Sequence, residues 1–306
     1  MTLGGTLLVA SWAIFFSQMR FSEEFTGWVK ITIVNTVDAT KLKQDITTFL
    51  AKNNYKNSIV SIETTKNTDV SIKTKVETDE KVNTLSKEIK TLLLDGKYIT
   101  STNDIVSQSI TGPSVGDYMQ KSAKNALIIG LLLMALYMMF SFAGIRKVIS
   151  PAILAGVTIA TMVFDVSIPA GAYGLLMWFN STVNIDTVFI IAVLTNMGYS
   201  INDTIIIFDR IRENLQHSHD KNTVYGNVFD ASLRETMRRS FGTVMATLLV
   251  IGAMFFLWSG AVKDFAFTIG IGVIAGSYSS IFISAPLAYL LMGKFKKEKK
   301  LITNHD

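Results

Sequence analysis

The chain has 306 residues, of which 49% are hydrophobic and 17% are charged, and its mean hydropathy is +0.36. This composition excludes an ordinary soluble domain and is typical of a polytopic membrane protein. The net charge of +5 does not indicate a nucleic-acid-binding protein, because the basic residues cluster beside apolar runs, where the positive-inside rule places them. The chain has no cysteine, so neither a disulfide framework nor a thiolate metal site is possible.

The first apolar segment, Thr2 to Met19, carries no charge and is just long enough to cross a bilayer as a helix. The alternative is a secretory signal peptide, but there is no basic start and no small-residue cleavage site before Arg20. We therefore predict a first transmembrane helix over residues 1–19. Because no Lys or Arg precedes it, we expect that the true start lies upstream or that the segment came from a longer fused polypeptide.

Residues 20–121 are polar and charged, contain no segment long enough to span, and predict a water-exposed α+β domain. The predicted strands are Val29–Val34, Ile59–Thr64, Val70–Val76 and Ile105–Ile110, and the predicted helices run from an Asp38 N-cap to Lys52 and over Asp79–Leu94. This order, βαββαβ, is the ferredoxin-like arrangement. The domain contains no histidine cluster, phosphate-binding glycine loop or nucleophile–base pair, so the sequence does not indicate an enzyme.

Five further apolar runs follow in a predicted bundle over residues 122–293. They predict spans near 125–142, 151–176, 186–208, 240–258 and 265–292, with a cytoplasmic connection at 216–238. The loop after the second span holds Arg146 and Lys147, which places it in the cytoplasm. The expected protein thus has six transmembrane helices, both termini inside, the α+β domain outside, and a basic cytoplasmic tail at 294–306 that contacts lipid.

Two acids lie inside predicted spans. Asp203 lies about five residues from the cytoplasmic end of the fourth span, and Asp165 lies inside the third. An ionised carboxylate in hydrocarbon costs about 2.5–3.5 kcal/mol, so such acids usually face a partner or a water-filled path. The alternative for Asp203 is a snorkelling or capping acid; for Asp165 it is a structural polar residue near the bend before Pro169.

The fourth span carries a motif, GYSINDTIIIFDRIRENL, over Gly198 to Leu215. It closely resembles the fourth transmembrane segment of the SecF family of protein-export subunits, whose pattern reads GYS-x-NDT-x-x-x-FDRIREN. Its matching positions include Gly198, Asn202, Asp203, Thr204, Asp209, Arg210 and Arg212. Ser200, Asn202 and Thr204 favour a hydrogen-bonded path beside Asp203. The charged residues from Asp209 onward indicate a solvated cytoplasmic cap.

The same family carries an arginine in a T-x-x-R segment of the fifth span, and this resemblance selects Arg239. Arg239 enters at a depth from which its side chain can rise towards Asp203, and pairing would lower the cost of both charges. The alternative is an ordinary positive-inside anchor, the role expected of Arg238. Two positions depart from the family: Phe164, where a histidine is usual, and Trp28, where a glycine is usual.

The resemblance implies an RND-superfamily subunit that works without a cofactor alongside SecD, or a SecD-like half, and the SecYEG channel. It implies that proton movement is coupled to late export steps and that translocating preproteins are bound on the outer face of the cytoplasmic membrane. Sodium stays open as the coupling ion, because it could replace the proton at a carboxylate site. No Walker motif is present, so ATP is not expected to be hydrolysed by this chain. Two alternatives stay open: an RND-type exporter of a lipid or small molecule, and a non-transporting scaffold. No metal site is expected, because His217, His219 and Asp220 are too crowded in one polar loop.

Overall fold

The computed structural model describes residues 2–34, 38–53, 55, 60–64, 69–75, 78–145, 150–180, 183–217 and 225–292. The predictions for Arg146 and Lys147, for His219 and Asp220, and for the tail at 294–306 lie outside these residues. The chain divides into two compact units. A membrane unit comprises Met1–Arg20 and Ala126–Asp306, and a polar unit comprises Phe21–Asn125.

The polar unit is built on a four-stranded antiparallel sheet with the strand order β2-β3-β1-β4. Its elements are α2 (Glu23–Thr26), β1 (Trp28–Val34), α3 (Ala39–Lys52), β2 (Val60–Thr64), β3 (Asp69–Lys75), α4 (Asp79–Asp95) and β4 (Ile105–Thr111). In the register, Ile31 of β1 lies opposite Ile72 of β3 and Gln108 of β4. After the short α2, the predicted succession of strands and helices is confirmed. Of the predicted strand ends, Ile59 and Val76 lie outside the described residues.

One face of the sheet forms the core of the polar unit. Alternate residues of β1, namely Val29, Ile31 and Ile33, are fully buried, because successive side chains of a strand point to opposite faces. They pack with Leu42 and Ile46 of α3 and with Val82, Leu85 and Ile89 of α4. Asp38 caps α3 as predicted, since its carboxylate accepts hydrogen bonds from the amides of Thr40 and Lys41 at 2.9 and 3.3 Å.

Two tyrosine–carboxylate hydrogen bonds join α3 and α4. The Tyr55 hydroxyl donates to Oε2 of Glu88 at 2.7 Å, and the Tyr98 hydroxyl donates to Asp45. Burial raises the pKa of each tyrosine to about 12, and the adjacent carboxylate adds to the effect. The neutral phenols are therefore part of the folded polar unit.

Alkaline pH is expected to destabilise the polar unit through these tyrosines. Their pKa is raised on folding from an ordinary value of about 10. The stability that they contribute to the folded polar unit is therefore fully present below pH 10 and is lost as the pH rises towards 12. Unfolding of the full chain in detergent is followed by Trp28 fluorescence, with the other tryptophans replaced by Phe. The double variant Tyr55→Phe/Tyr98→Phe should lose stability less steeply over this pH range, and equal slopes would contradict the assignment.

The membrane unit contains helices long and apolar enough to cross a bilayer. Five such helices are present among the described residues: α5 (Pro113–Ser141), α6 (Pro151–Phe179), α7 (Thr187–His217), α8 (Tyr225–Leu257) and the last span, Ala261–Met292. The last span consists of α9 (Ala261–Ser279), a π turn at Ser280–Ser284 and a final helical stretch to Met292. The segment predicted as a further span, α1 (Thr2–Gln18), is a shorter apolar helix.

Helix α1 packs directly on the backbone of α6 through two glycines. A Cβ atom at Gly171 would lie 2.7 Å from Cα of Ser11, and one at Gly174 would lie 2.9 Å from Cα of Phe15. At the end of the contact, Arg20 donates hydrogen bonds to the carbonyl groups of Met177 and, at 3.2 Å, Asn180. Because these carbonyls lie at the C-terminus of α6, the guanidinium group also meets the negative end of the helix dipole.

The predicted cytoplasmic connection at 216–238 is helical over most of its described length. Helix α7 continues to His217, and α8 already begins at Tyr225. Residues 225–238 are too polar for their hydropathy to indicate a membrane helix, but their apolar residues recur at helical spacing. Val228 and Phe229 are buried in the core, while an ion pair of 3.0 Å joins the exposed side chains of Asp230 and Arg234 one turn apart.

Candidate functional site

Asp203 lies on α7 with only 2% of its surface exposed. Its Oδ2 atom has no hydrogen-bond partner among the described residues. Ser240 of α8 lies beside this carboxyl group, but its hydroxyl likewise makes no hydrogen bond of good geometry within the described part of the chain. The acid is therefore buried with one carboxylate oxygen unpartnered among the described residues.

The positive charge of Arg239 acts on the Asp203 carboxyl group. The two side chains do not form an ion pair within 4 Å, and Arg239 is exposed. It lines a polar cavity of about 270 Å³ between α7 and α8. The other lining residues are Ile206, Asp209, Arg210, Glu213, Glu235 and Thr236. The predicted approach of Arg239 towards Asp203 is thus seen as a long-range interaction rather than as a direct contact.

The charged end of the motif connects α7 to α8. Arg210 contacts Glu213 on its own helix and Glu235 on α8, each at 2.5 Å. Asn214 donates to Oγ of Ser232 at 2.9 Å and to Oε2 of Glu235 at 3.0 Å. These charged groups are largely exposed to solvent, which weakens ion pairs, so they contribute to the alignment of the two helix ends more than to stability.

Other motif residues face different directions. Arg212 pairs with Asp209 at 2.5 Å on the surface of α7. Asn202 is exposed, so it does not contribute to a buried polar path. A Cβ atom at Gly198 would meet no atom within 4 Å, so Gly198 does not mark a close helix contact. Thr204 is buried, and its hydroxyl lies 2.9 Å from that of Ser280 in the π turn.

Asp165 is connected to the same region through Ser200. It is 1% exposed on α6, and the Ser200 hydroxyl of α7 donates to its Oδ2 atom. Ser200 is followed three residues later by Asp203, so α7 brings the two acids to one level of the bundle. The sequence identified both acids but not this link.

The last span supplies polar residues that the sequence analysis missed. Ser279, Ser280 and Ser284 are fully buried, and the Ser280 hydroxyl also reaches the Ser200 carbonyl at 3.4 Å. The signal that could have found them is the run of serines in an otherwise apolar helix, GSYSSIFIS. Such residues in a membrane helix usually face another helix, because a hydroxyl group in hydrocarbon needs a partner.

Phe164 and Trp28, the two residues that depart from the family pattern, each have a defined environment in the structure. Phe164 is 5% exposed, lies 6.3 Å from Tyr278 between ring centroids, and lines an apolar cavity of about 230 Å³. Trp28 begins β1, and its indole N–H donates to Thr26. The neighbouring Gly27 has φ of 72°, and a Cβ there would lie 2.8 Å from the nitrogen of Pro113. The tight turn therefore depends on Gly27 and not on residue 28.

A bundle of apolar helices that encloses two carboxyl groups, together with a separate α+β unit, defines a polytopic membrane protein with ionisable groups in its helix core. Residues 95–294 match the family model described as "Protein export membrane protein SecD/SecF, C-terminal". The chain belongs to this SecD/SecF family, as its fourth-span motif indicates.

Named relatives agree with this assignment. Protein translocase subunit SecF of Sebaldella termitidis is 33% identical over 214 residues, covering 70% of this chain and 65% of that protein. Protein translocase subunit SecDF of Thermus thermophilus is 34% identical over 198 residues, covering 64% of this chain and 24% of that protein. The crystal structure of SecDF from Thermus thermophilus superposes with a TM-score of 0.70 at 26% identity, covering 95% of this chain and 37% of that one. The matches thus span less than two thirds of the relatives' own length.

Proposed function

We propose that this chain is an accessory membrane subunit of the Sec protein-export machinery, and that it couples an ion gradient to late, ATP-independent steps of preprotein translocation. Family membership supports the export role. The observation that supports the coupling role is the burial of Asp203 in a membrane helix. Its Oδ2 atom has no hydrogen-bond partner among the described residues, and the charge of Arg239 acts on it from α8. Its part in export is that of a transport subunit, not an enzyme.

The proposal includes a topology and partners. We assign α1 as a sixth transmembrane helix, the first in chain order, because it packs closely against Gly171 and Gly174 of α6. We place both termini on the cytoplasmic side of the membrane. The polar unit is assigned as a ferredoxin-like domain from its strand order, and we place it on the extracytoplasmic side as part of the same proposal. The partners are a SecD half, the SecYEG channel, membrane lipid and preproteins emerging on the outer face.

The proposed coupling step is electrostatic. An ion that binds Asp203 cancels the charge that attracts Arg239, and the separation of α7 and α8 then changes. Arg210 and Asn214 keep the cytoplasmic ends of these helices aligned during the change. The membrane potential supplies about 2.3 kcal/mol per charge for each 100 mV, which is enough to bias such a two-state element. The outer domain would use the resulting movement to hold emerging preprotein against backsliding.

The experiment uses membrane vesicles that contain this chain, its SecD half and SecYEG. Export is started with ATP, the ATP is exhausted, and completion is measured with and without an imposed ion gradient. For wild type we expect a gradient-dependent fraction, and for Asp203→Asn at equal expression we expect none. Asp230→Asn is the matched control, because Asp230 is an exposed acid on α8 that does not line the cavity between α7 and α8.

If Asp203→Asn completes export as well as wild type, the coupling role fails and a non-transporting scaffold explains the chain better. If wild type itself shows no gradient-dependent fraction, the ion-driven step is absent from this system.

A further inference from the structure

An apolar cavity of about 300 Å³ lies between α8 and α9. All of its lining residues are apolar or glycine, among them Leu248, Ile251, Phe255, Ala266, Phe267 and Ile274. Ile274 is 53% exposed, so the cavity opens on the outside of the helix bundle. A Cβ atom at Gly252 would meet no atom within 4 Å, so the cavity wall is open at this residue. Because the lining side chains offer no hydrogen-bonding group, the cavity suits a hydrocarbon ligand and not a polar metabolite.

The cavity has the length of a lipid chain within one leaflet of the membrane. Its wall on α8 runs from Leu248 to Phe255, seven residues or roughly 10 Å at about 1.5 Å per residue. Its wall on α9 runs from Ala266 to Ile274, eight residues or roughly 12 Å. One leaflet contributes about 15 Å of hydrocarbon, half of a core about 30 Å thick. A transmembrane helix of a partner protein would need a seam along the whole core, so the dimensions favour an acyl chain.

A positive charge lies at the mouth of this cavity. Nζ of Lys263, in the first turn of α9, lies 4.9 Å from the centre of the Phe255 ring, and the same ring lines the cavity. Lys263 is exposed, and none of the described carboxylates lies within 4 Å of its ammonium group. Trp258, directly after the end of α8, is 57% exposed, as is common for tryptophan at the level of the lipid headgroups. The mouth therefore offers an unpaired cation beside an interfacial ring.

The acid next to Lys263 faces another helix. The Asp264 carboxyl group experiences the negative charge of Asp186, which caps the start of α7 by accepting a hydrogen bond from the Phe189 amide at 2.8 Å. Successive residues of a helix lie about 100° apart, so Lys263 can face α8 while Asp264 faces α7. Lys263 also acts on Asp264 through space, but the two side chains do not form an ion pair. The lysine thus remains available to an anion from outside the chain.

We propose that α8 and α9 bind one membrane phospholipid with an anionic headgroup, whose acyl chain lies in the cavity and whose phosphate group contacts Lys263. Lipid chains already lie in hydrocarbon, so burial of apolar surface alone does not hold this molecule in place. Its selection comes from the fit of one chain to the cavity and from the attraction between the phosphate group and the ammonium group. The topology proposed above places this lipid in the outer leaflet, but the site does not depend on a role in export.

The test is photolabelling of the full chain in nanodiscs of phosphatidylcholine that contain a trace of phosphatidylglycerol with a diazirine in its acyl chain. Labelled residues are mapped by mass spectrometry. The cavity residues should carry about fivefold more label than Leu132 and Leu136, two exposed residues of α5, since one lysine near a membrane favours an anionic lipid by about this factor. Excess unlabelled phosphatidylglycerol should remove the difference, whereas inorganic phosphate should not.

Two variants separate the contributions of the headgroup and of the chain. Lys263→Gln removes the charge at the mouth and should reduce labelling of the cavity to the level of α5. Gly252→Leu places a side chain in the cavity and should have the same effect. Ala253→Leu is the matched control, because Ala253 is exposed on α8 and does not line the cavity. We expect this control to be labelled like wild type.

Uniform labelling of all lipid-facing helices in wild type would overturn the proposal, as would an equal loss of label in Ala253→Leu. Displacement by inorganic phosphate would reject a lipid as the ligand. Loss of the excess label when the SecD half is added would mean that a partner helix covers the cavity, which also rejects the proposal. If Gly252→Leu does not fold, Lys263→Gln decides the question, and an unchanged excess rejects the site. Export is not measured in this experiment, so its failure leaves the proposed function untouched.

Discussion

Replacing Arg239 with Gln is expected to reduce gradient-dependent export about tenfold, since coupling free energies between sites are typically about 1–3 kcal/mol. Arg239 supplies the positive charge that acts on the Asp203 carboxyl group. Gln keeps polarity and most of the side-chain length but removes that charge. Without it, ion binding at Asp203 no longer changes the attraction between α7 and α8. The measurement is completion of export in vesicles after ATP is exhausted, with and without the imposed gradient.

Arg238→Gln is the matched control for this prediction. Arg238 is also exposed, belongs to the same helix, and carries the same charge, but it does not line the cavity between α7 and α8. We expect its gradient-dependent fraction to equal that of wild type. Equal defects in the two variants would mean that both arginines act as membrane anchors, and the specific role of Arg239 would be rejected.

Replacing Gly272 with Ala is expected to destabilise the membrane unit by about 2–4 kcal/mol, the sum of an overpacking and a hydrogen-bond contribution. A Cβ atom at Gly272 would lie 1.8 Å from Nδ2 of Asn196 on α7. Asn196 is 1% exposed, and its Nδ2 donates to the Thr268 carbonyl at 3.1 Å. The buried Asn196 side chain can clear the new methyl group only by giving up this hydrogen bond; otherwise α9 must move away. Unfolding of the purified chain in detergent measures the loss.

Gly270→Ala provides the control on the same helix. A Cβ atom there would lie 3.4 Å from Cγ2 of Ile251, an ordinary van der Waals contact. Ala also has the higher helix propensity, so we expect this variant to be as stable as wild type or slightly more stable. If both variants lose stability equally, the general helix contact and not the Asn196 clash is responsible.

Local sequence patterns were sufficient for the polar unit. The alternation of Val29, Ile31 and Ile33 defines a strand with one buried face, and Asp38 before an amphipathic run defines a helix start. Both patterns are local because one side of each element meets water. The tyrosine–carboxylate bonds at Tyr55 and Tyr98 were not predictable, since each joins residues more than thirty positions apart.

The membrane helices are harder to interpret from sequence, because a helix in lipid is apolar on every side and its pattern does not reveal which face meets a neighbour. Thr204 and Ser200 are one helical turn apart and face the last span, whereas Gly198 and Asn202 lie on the opposite side. All four belong to the same motif, and nothing in its spacing separates inward from outward positions.

By itself the sequence determined the membrane class of this protein, the order of its strands and helices, and the presence of Asp165 and Asp203 inside apolar spans. These properties follow from composition, periodicity and the free energy of a charge in hydrocarbon, which are all local. Only the tertiary structure decided that Ser200 binds Asp165, that a π turn brings Ser280 to Thr204, and that Arg239, which lines a charged cavity, acts on Asp203. Those contacts depend on how helices far apart in sequence pack together, which hydropathy does not encode.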